Sequence, residues 1–158
     1  IKGCAIGADV MVGYPGESEQ DFEVMCRFID ELPVAYLHVF KCSPRPRTRL
    51  FAEIAEKKLI RVPSAEASSR AARLGEIGET IDRRFAGAFI GSRLKILFEE
   101  SEALSGGAMR WSGYSENYLR VSVEVGAEFS AGELRGQVRE VLVDGFGEGW
   151  QLQGRLLS

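Results

Sequence analysis

The chain has 158 residues, 20 Lys+Arg against 23 Asp+Glu, a net charge of −3, 45% hydrophobic residues and 18 Gly. The apolar fraction is too high and the net charge too small for disorder, and the length supports one medium domain or two small ones. The longest apolar run, Leu32–Phe40, contains Pro33 and His38 and falls far short of the ~18 residues a membrane-spanning helix needs.

Ile1 stands where an initiating Met is expected, and no basic, apolar and cleavable leader precedes the fold, so the chain is expected to begin inside a longer gene. Cys4, Cys26 and Cys42 are odd in number, widely spaced and form no C-x-x-C pair. That pattern argues against a disulfide framework and against a self-contained zinc or iron–sulfur site, and it fits a reducing, cytoplasmic setting.

In chain order, Ala8–Val12 reads as a short apolar strand closed by Gly13-Tyr14-Pro15-Gly16. Ser18 then precedes a helical stripe of Phe22, Met25, Cys26, Ile29 and Leu32, with Asp21 placed as in a capping box and Pro33 as the stop. Val34–Phe40 reads as a second, buried strand. Strand, helix and strand predict a parallel pair with a right-handed crossover. Two such strands belong to a larger α/β sheet or barrel. Residues 41–61 follow as a loop and short helix carrying seven Lys/Arg against Glu53 and Glu56.

After Pro63, Ser64 opens a long helix with the apolar stripe Ala67, Ala71, Leu74, Ile77, Ile81 and Phe85, ended by Gly87. From Phe89 the period changes to two: Leu94, Ile96 and Phe98, then Leu119, Val121 and Val123, then Trp150 and Leu152 alternate with their neighbours. Turns are expected at Ser105-Gly106-Gly107, Gly126, Gly132 and Asp144-Gly145-Phe146-Gly147. Five short strands predict a small closed barrel of the oligonucleotide-binding kind. The fold class is therefore α/β followed by all-β, with domains at 1–62, 63–88 (a linker helix) and 89–158.

Several segments could carry chemistry. The Gly13–Glu17 turn lies at the carboxyl end of a parallel strand, where α/β folds place ligands. It lacks the third glycine and the Lys of phosphate loops, and Glu17, Glu19 and Asp21 would repel an anion, so a plain structural turn is the stronger reading. His38, the one histidine, reads as a hydrogen-bonded core or pocket residue, and Cys42 as a packed small hydrophobe. No triad or metal-ligand cluster can be assembled from the sequence. Arg45, Arg47 and Arg49 in a proline-stiffened loop suit either a phosphate-bearing partner or plain solvation. The stretch Arg110–Arg120 mixes aromatics, amides and arginines that can stack on bases or hold phosphates. Residues 92–158 nevertheless hold seven basic and ten acidic side chains, so any RNA contact there must be local.

Read together, Gly7–Ser18, Phe22, Leu37-His38-Val39-Phe40, Ser43-Pro44-Arg45-Pro46 and Thr48 resemble the late part of the radical S-adenosylmethionine domain of tRNA methylthiotransferases. The His-Val-Phe wording is most similar to the branch acting on threonylcarbamoyladenosine beside the anticodon. Gly113–Tyr118 resembles part of that family's C-terminal TRAM domain. The resemblance implies the end of a partial radical SAM (β/α) barrel, a linker helix and a five-stranded TRAM barrel.

It also implies an enzyme that uses S-adenosylmethionine and two [4Fe–4S] clusters to methylthiolate the adenine C2 carbon in tRNA. The cluster cysteines, in a C-x-x-x-C-x-x-C motif among others, are expected upstream, so this chain alone is expected to be inactive and to hold no catalytic or metal-ligating residue. By analogy, Gly13, Pro15, Gly16, Glu17, Val39 and Phe40 line the S-adenosylmethionine pocket. Ser43, Arg45, Arg110, Tyr114, Asn117, Tyr118 and Arg120 are the candidate tRNA contacts, although Ser43 and Arg45 match a motif that could face either cofactor or substrate. The family usually carries an aromatic where Cys42 stands and Gly where Arg47 stands. Its other branches act on isopentenyladenosine in tRNA or on a ribosomal-protein aspartate, and a non-catalytic RNA-binding module is a further alternative.

Overall fold

A computed structural model describes residues 3–126 and 134–157. The chain forms two compact units, Ile6–Asp82 and, together with Ile1–Ala5, Arg83–Ser158. Among the described residues no helix is long and apolar enough to cross a membrane.

In the Ile6–Asp82 unit, β1 (Gly7–Val12) pairs in parallel with β2 (Tyr36–Lys41), and α1 (Glu19–Glu31) connects them. The helix starts where expected because Ser18 and Asp21 form a reciprocal capping box: the Ser18 hydroxyl accepts the Asp21 amide at 3.1 Å, and Asp21 accepts the Ser18 amide at 3.0 Å. Its Phe22, Cys26 and Ile29 are buried with Val10 and Val12 from β1 and with Leu74 and Ile81 from α3 (Ser64–Gly87). The short helix α2 (Arg49–Ala55) is capped by Thr48, whose hydroxyl accepts the Phe51 amide at 3.2 Å.

The second strand is not buried on both faces, as its apolar run suggests. It is two-sided: Leu37 and Val39 pack on the core, whereas Tyr36, His38 and Phe40 are exposed. A sheet of two strands has helices on one side only here, so the alternation of the pleat sends every second residue to the open side. His38 is consequently a solvent-facing residue and not a core one.

In the other unit, β3 (Arg93–Ala103), β4 (Met109–Ser115), β5 (Arg120–Val125), β6 (Val138–Phe146) and β7 (Leu152–Leu156) close into a barrel in the order β3-β4-β5-β7-β6. All neighbouring pairs are antiparallel except β5 with β7. Ile96, Phe98, Trp111, Val121, Val123, Val141, Val143 and Leu152 fill the interior. The expected five-stranded barrel is therefore present, with the Gly106-Gly107 turn in place. Two boundaries differ. Asp144–Phe146 is strand and not turn, because β6 continues through a register shift between Val143 and Gly145. Trp150 lies in a short 3₁₀ turn ahead of β7, where its exposed ring packs edge-on against Phe146 and under the Arg83 guanidinium. The turn expected at Gly132 lies outside the described residues.

Candidate functional site

The turn after β1 is built by left-handed glycines and one buried arginine. Gly13 has φ +72°, and a Cβ there would fall 2.7 Å from the Ala67 Cβ, so both the conformation and the space require glycine. Gly16 has φ +91° and its amide donates to the Ile60 carbonyl at 3.0 Å. Glu17 folds back over the turn: one carboxylate oxygen accepts the Gly13 amide at 3.0 Å and the Tyr14 amide at 3.4 Å. The other accepts Arg70 Nη1 at 2.5 Å. Arg70, 3% exposed, also donates to the Glu17 carbonyl at 3.2 Å, to Glu19 at 3.1 Å and to Glu66 at 2.5 Å.

Burial works to lower the Arg70 pKa, but the hydrogen bonds to Glu17 and Glu19 outweigh it and the net direction is up, so the guanidinium stays charged. Its plane also lies over the Phe22 ring, 5.3 Å from the centroid. Two members of the acid cluster that appears in the sequence as an anion-repelling patch, Glu17 and Glu19, are thus paired with one guanidinium from α3, which Glu66 shares. Arg70 is not part of the apolar stripe seen in the sequence and carried no signal there; its burial emerges only in the fold. Glu17 and the Gly13 amide are thus bonded to each other within the turn, and further exposed side chains lie elsewhere.

They lie on the free face of the β1–β2 pair. The register sets Gly7 opposite Tyr36, Asp9 opposite His38 and Met11 opposite Phe40, and all six are exposed. Tyr36 and His38 meet edge-on with centroids 5.2 Å apart, and His38 and Phe40 follow at 6.5 Å. Of the residues expected along a cofactor pocket, Phe40 presents its ring to this face, whereas the Val39 side chain packs into the core and only its backbone is available. Pro15 is buried within the turn.

At the carboxyl ends of the strands the basic loop begins. Ser43 and Arg45 are exposed, and the Arg45 carbonyl accepts the Thr48 hydroxyl at 2.7 Å, which tightens the loop before α2. Arg47 adopts φ +70°, the left-handed conformation glycine takes without strain. This is the position where the resembled family carries glycine. Among the described residues, Arg45 and Arg47 have no carboxylate within 4 Å.

The candidate RNA contacts on the barrel divide into two groups. Arg110 and Tyr114 on β4 and Arg120 at the start of β5 share the outer face, with Tyr114 directly opposite Arg120. Both arginines are engaged by carboxylates: Arg120 with Glu100 at 2.5 Å, and Arg110 with Glu124 at 3.0 Å and with Glu102 and Glu148 at 3.8 Å. The hydrogen bond to Glu124 raises the Arg110 pKa. Asn117 and Tyr118 belong to a different cavity of about 550 Å³ that also takes in Arg93 and Lys95. These two cations stood out in the sequence only as the polar half of an alternating strand.

The cysteines do not fit a cluster. Cys26 is buried and Cys42 half-buried, burial pushes both thiols up and away from the ligating thiolate, and among the described residues no group of three His, Cys, Asp or Glu could hold a metal ion.

No protein-family model matches the sequence. The chain is 31% identical over 120 residues to the threonylcarbamoyladenosine tRNA methylthiotransferase MtaB of Aquifex aeolicus (strain VF5), a match covering 76% of this chain and 26% of that protein. It is 32% identical over 136 residues to the tRNA-2-methylthio-N(6)-dimethylallyladenosine synthase of Jannaschia sp. (strain CCS1), covering 86% of this chain and 27% of that protein. It is 35% identical over 99 residues to the ribosomal protein uS12 methylthiotransferase RimO of Anaeromyxobacter sp. (strain Fw109-5), covering 63% of this chain and 20% of that protein. Its homologues are methylthiotransferases. The chain spans about a quarter of the length of these relatives. The matches of 120 and 136 residues are each longer than either compact unit, so the likeness extends into both. The three relatives differ in what they modify, and their identities to this chain differ by four percentage points at most.

Proposed function

We propose that the chain is the carboxyl-terminal part of a cytoplasmic radical S-adenosylmethionine enzyme that methylthiolates threonylcarbamoyladenosine in the anticodon region of tRNA. The observation that carries this reading is homology to methylthiotransferases running from the β1–β2 unit into the barrel. The His38-Val39-Phe40 wording favours the threonylcarbamoyladenosine branch. In this reading S-adenosylmethionine lies along the free face of β1–β2, which is supported by the apolar surface of Phe40 and Met11 and the polar groups of Asp9 and His38 exposed there. When bound and reductively cleaved it supplies a carbon-centred radical. The chain's own contribution is to hold that face open and rigid: α1 and α3 back it, and Arg70 locks the turn at its end. The thiols of this chain do not fit the iron–sulfur clusters, which the reading assigns to residues beyond it.

A specific observation favours a second reading. The outer barrel face carries Glu100, Glu102, Glu124 and Glu148 around Arg110 and Arg120, a surface better suited to a basic protein than to a polyanion. That reading places the parent enzyme in the branch that modifies a ribosomal protein. Replacing the matching segment of the Aquifex aeolicus relative by this chain separates the two. A chimera that still methylthiolates threonylcarbamoyladenosine in tRNA supports the first reading. A folded chimera inactive on tRNA, with the corresponding RimO chimera active on uS12, supports the second.

A further inference from the structure

We infer that the barrel carries a pocket for a single unstacked nucleotide of RNA, formed by Tyr118, Asn117, Arg93 and Lys95, away from the Arg110–Arg120 face; the inference rests on the RNA-modifying reading above. The Tyr118 ring is 83% exposed on a residue with φ +60°, a left-handed conformation that costs a non-glycine residue free energy. The surrounding loop is fixed around it. The Tyr118 amide donates to the Ser115 carbonyl at 3.0 Å, the Leu119 amide to the Ser115 hydroxyl at 3.0 Å, and that hydroxyl to Asn117 Oδ1 at 2.5 Å. Asn117 Nδ2 donates in turn to the Gly3 carbonyl at 3.2 Å. A strained residue in a loop tied by four hydrogen bonds, one of them its own, with its largest apolar surface in water, is arranged to stack on something brought to it.

The cavity it borders has a volume of about 550 Å³, the size of a small-ligand pocket. Arg93 and Lys95 stand two residues apart on β3, so both side chains leave the same side of the strand, and both are exposed. Among the described residues neither has a carboxylate within 4 Å, in contrast to Arg110 and Arg120. Glu116 and Glu140 also line the cavity, and Glu140 is the cross-strand partner of Lys95. Two cations and two carboxylates leave the pocket without net charge, which suits a nucleotide better than a bare phosphate: cations for the phosphodiester, Tyr118 for the base face, and Glu116 as acceptor for base N–H groups. A duplex presents no free base face, so the pocket selects single-stranded RNA.

The test is fluorescence anisotropy of the 158-residue chain with a labelled eight-nucleotide oligoadenylate and with a labelled RNA duplex. The expected result is binding of the single strand, weakened roughly tenfold or more by Tyr118→Ala and restored by Tyr118→Trp. Lys95→Ala and Arg93→Ala are each expected to lower the slope of log K against log salt by about 0.7, while Arg27→Ala, at an exposed position of α1, changes affinity less than twofold. Binding to oligoadenylate that is unchanged in Tyr118→Ala and in the Arg93→Ala/Lys95→Ala double variant overturns the pocket and leaves the RNA-modifying reading standing. Absence of binding to the single strand overturns the pocket, and capture of ribosomal protein uS12 instead overturns the RNA-modifying reading as well. All three side chains are on the surface, so circular dichroism of each variant verifies that the fold is intact.

Discussion

The Arg70 guanidinium stands 2.5 Å from one Glu17 oxygen, while the other Glu17 oxygen accepts the Gly13 amide at 3.0 Å. The pair ties α3 to the turn at the end of β1, and Glu19 and Glu66 share the same guanidinium. Removing Arg70 strands a mostly buried carboxylate. Arg70→Leu is expected to destabilise the β1–β2 unit by about 3–5 kcal/mol, and Arg70→Lys to recover little, because an ammonium cannot reproduce the fork that reaches Glu17, Glu19 and Glu66. Urea unfolding followed by far-UV circular dichroism measures both.

Gly13 and Gly91 both have positive φ, +72° and +81°, but only Gly13 is crowded. Gly13→Ala adds strain and an overlap with Ala67, and is expected to cost about 3 kcal/mol. Gly91→Ala meets nothing within 4 Å and is expected to cost about 1 kcal/mol. Equal costs in thermal unfolding would contradict the close approach of β1 and α3.

Acid stability follows from two carboxylates on α1. The Ser18 hydroxyl and amide hold the Asp21 carboxyl below its ordinary value, and the hydrogen bond from Arg73 does the same for Glu23. A depressed folded pKa contributes stability above the unfolded values of about 3.9 and 4.3 and loses it as pH falls through the folded ones. The urea midpoint is therefore expected to be flat from pH 7 to about 5 and to fall below pH 4. Ser18→Ala and Arg73→Met are expected to make that fall shallower, and an unchanged slope in both would remove these residues as its cause.

Much of this architecture was legible before any coordinates. The Ser18–Asp21 capping box, the helix stop at Pro33 and the alternation of Ile96 with Phe98 are local signals, and local signals survive folding. The open face of β2 was not legible, because Tyr36, His38 and Phe40 continue an apolar run and only a missing layer makes them exposed. Arg70 was hidden for the converse reason. Its burial depends on carboxylates 51 and 53 residues away in sequence. In the candidate site the residue types of the Arg110–Arg120 stretch stood out, but not their separation into a carboxylate-paired face and a cavity beside Arg93 and Lys95, which depends on barrel closure.

Tyr118 exposes a conflict between stability and use. Tyr118→Gly relieves the strain of φ +60°, and with the entropy cost of glycine set against it the barrel is expected to gain up to about 1 kcal/mol. Thermal unfolding reads the gain. A clear loss of stability would mean that the ring packs in the native fold and is no free platform.

The activity proposed for the parent enzyme is methylthiolation of threonylcarbamoyladenosine in tRNA. Its most direct test is mass spectrometry of tRNA nucleosides from the organism carrying this gene, before and after deletion of the gene. The expected result is that 2-methylthio-threonylcarbamoyladenosine disappears, unmodified threonylcarbamoyladenosine accumulates, and re-expression of the full-length gene reverses both. An unchanged nucleoside profile, with a methylthio group lost from ribosomal protein uS12 instead, would contradict it.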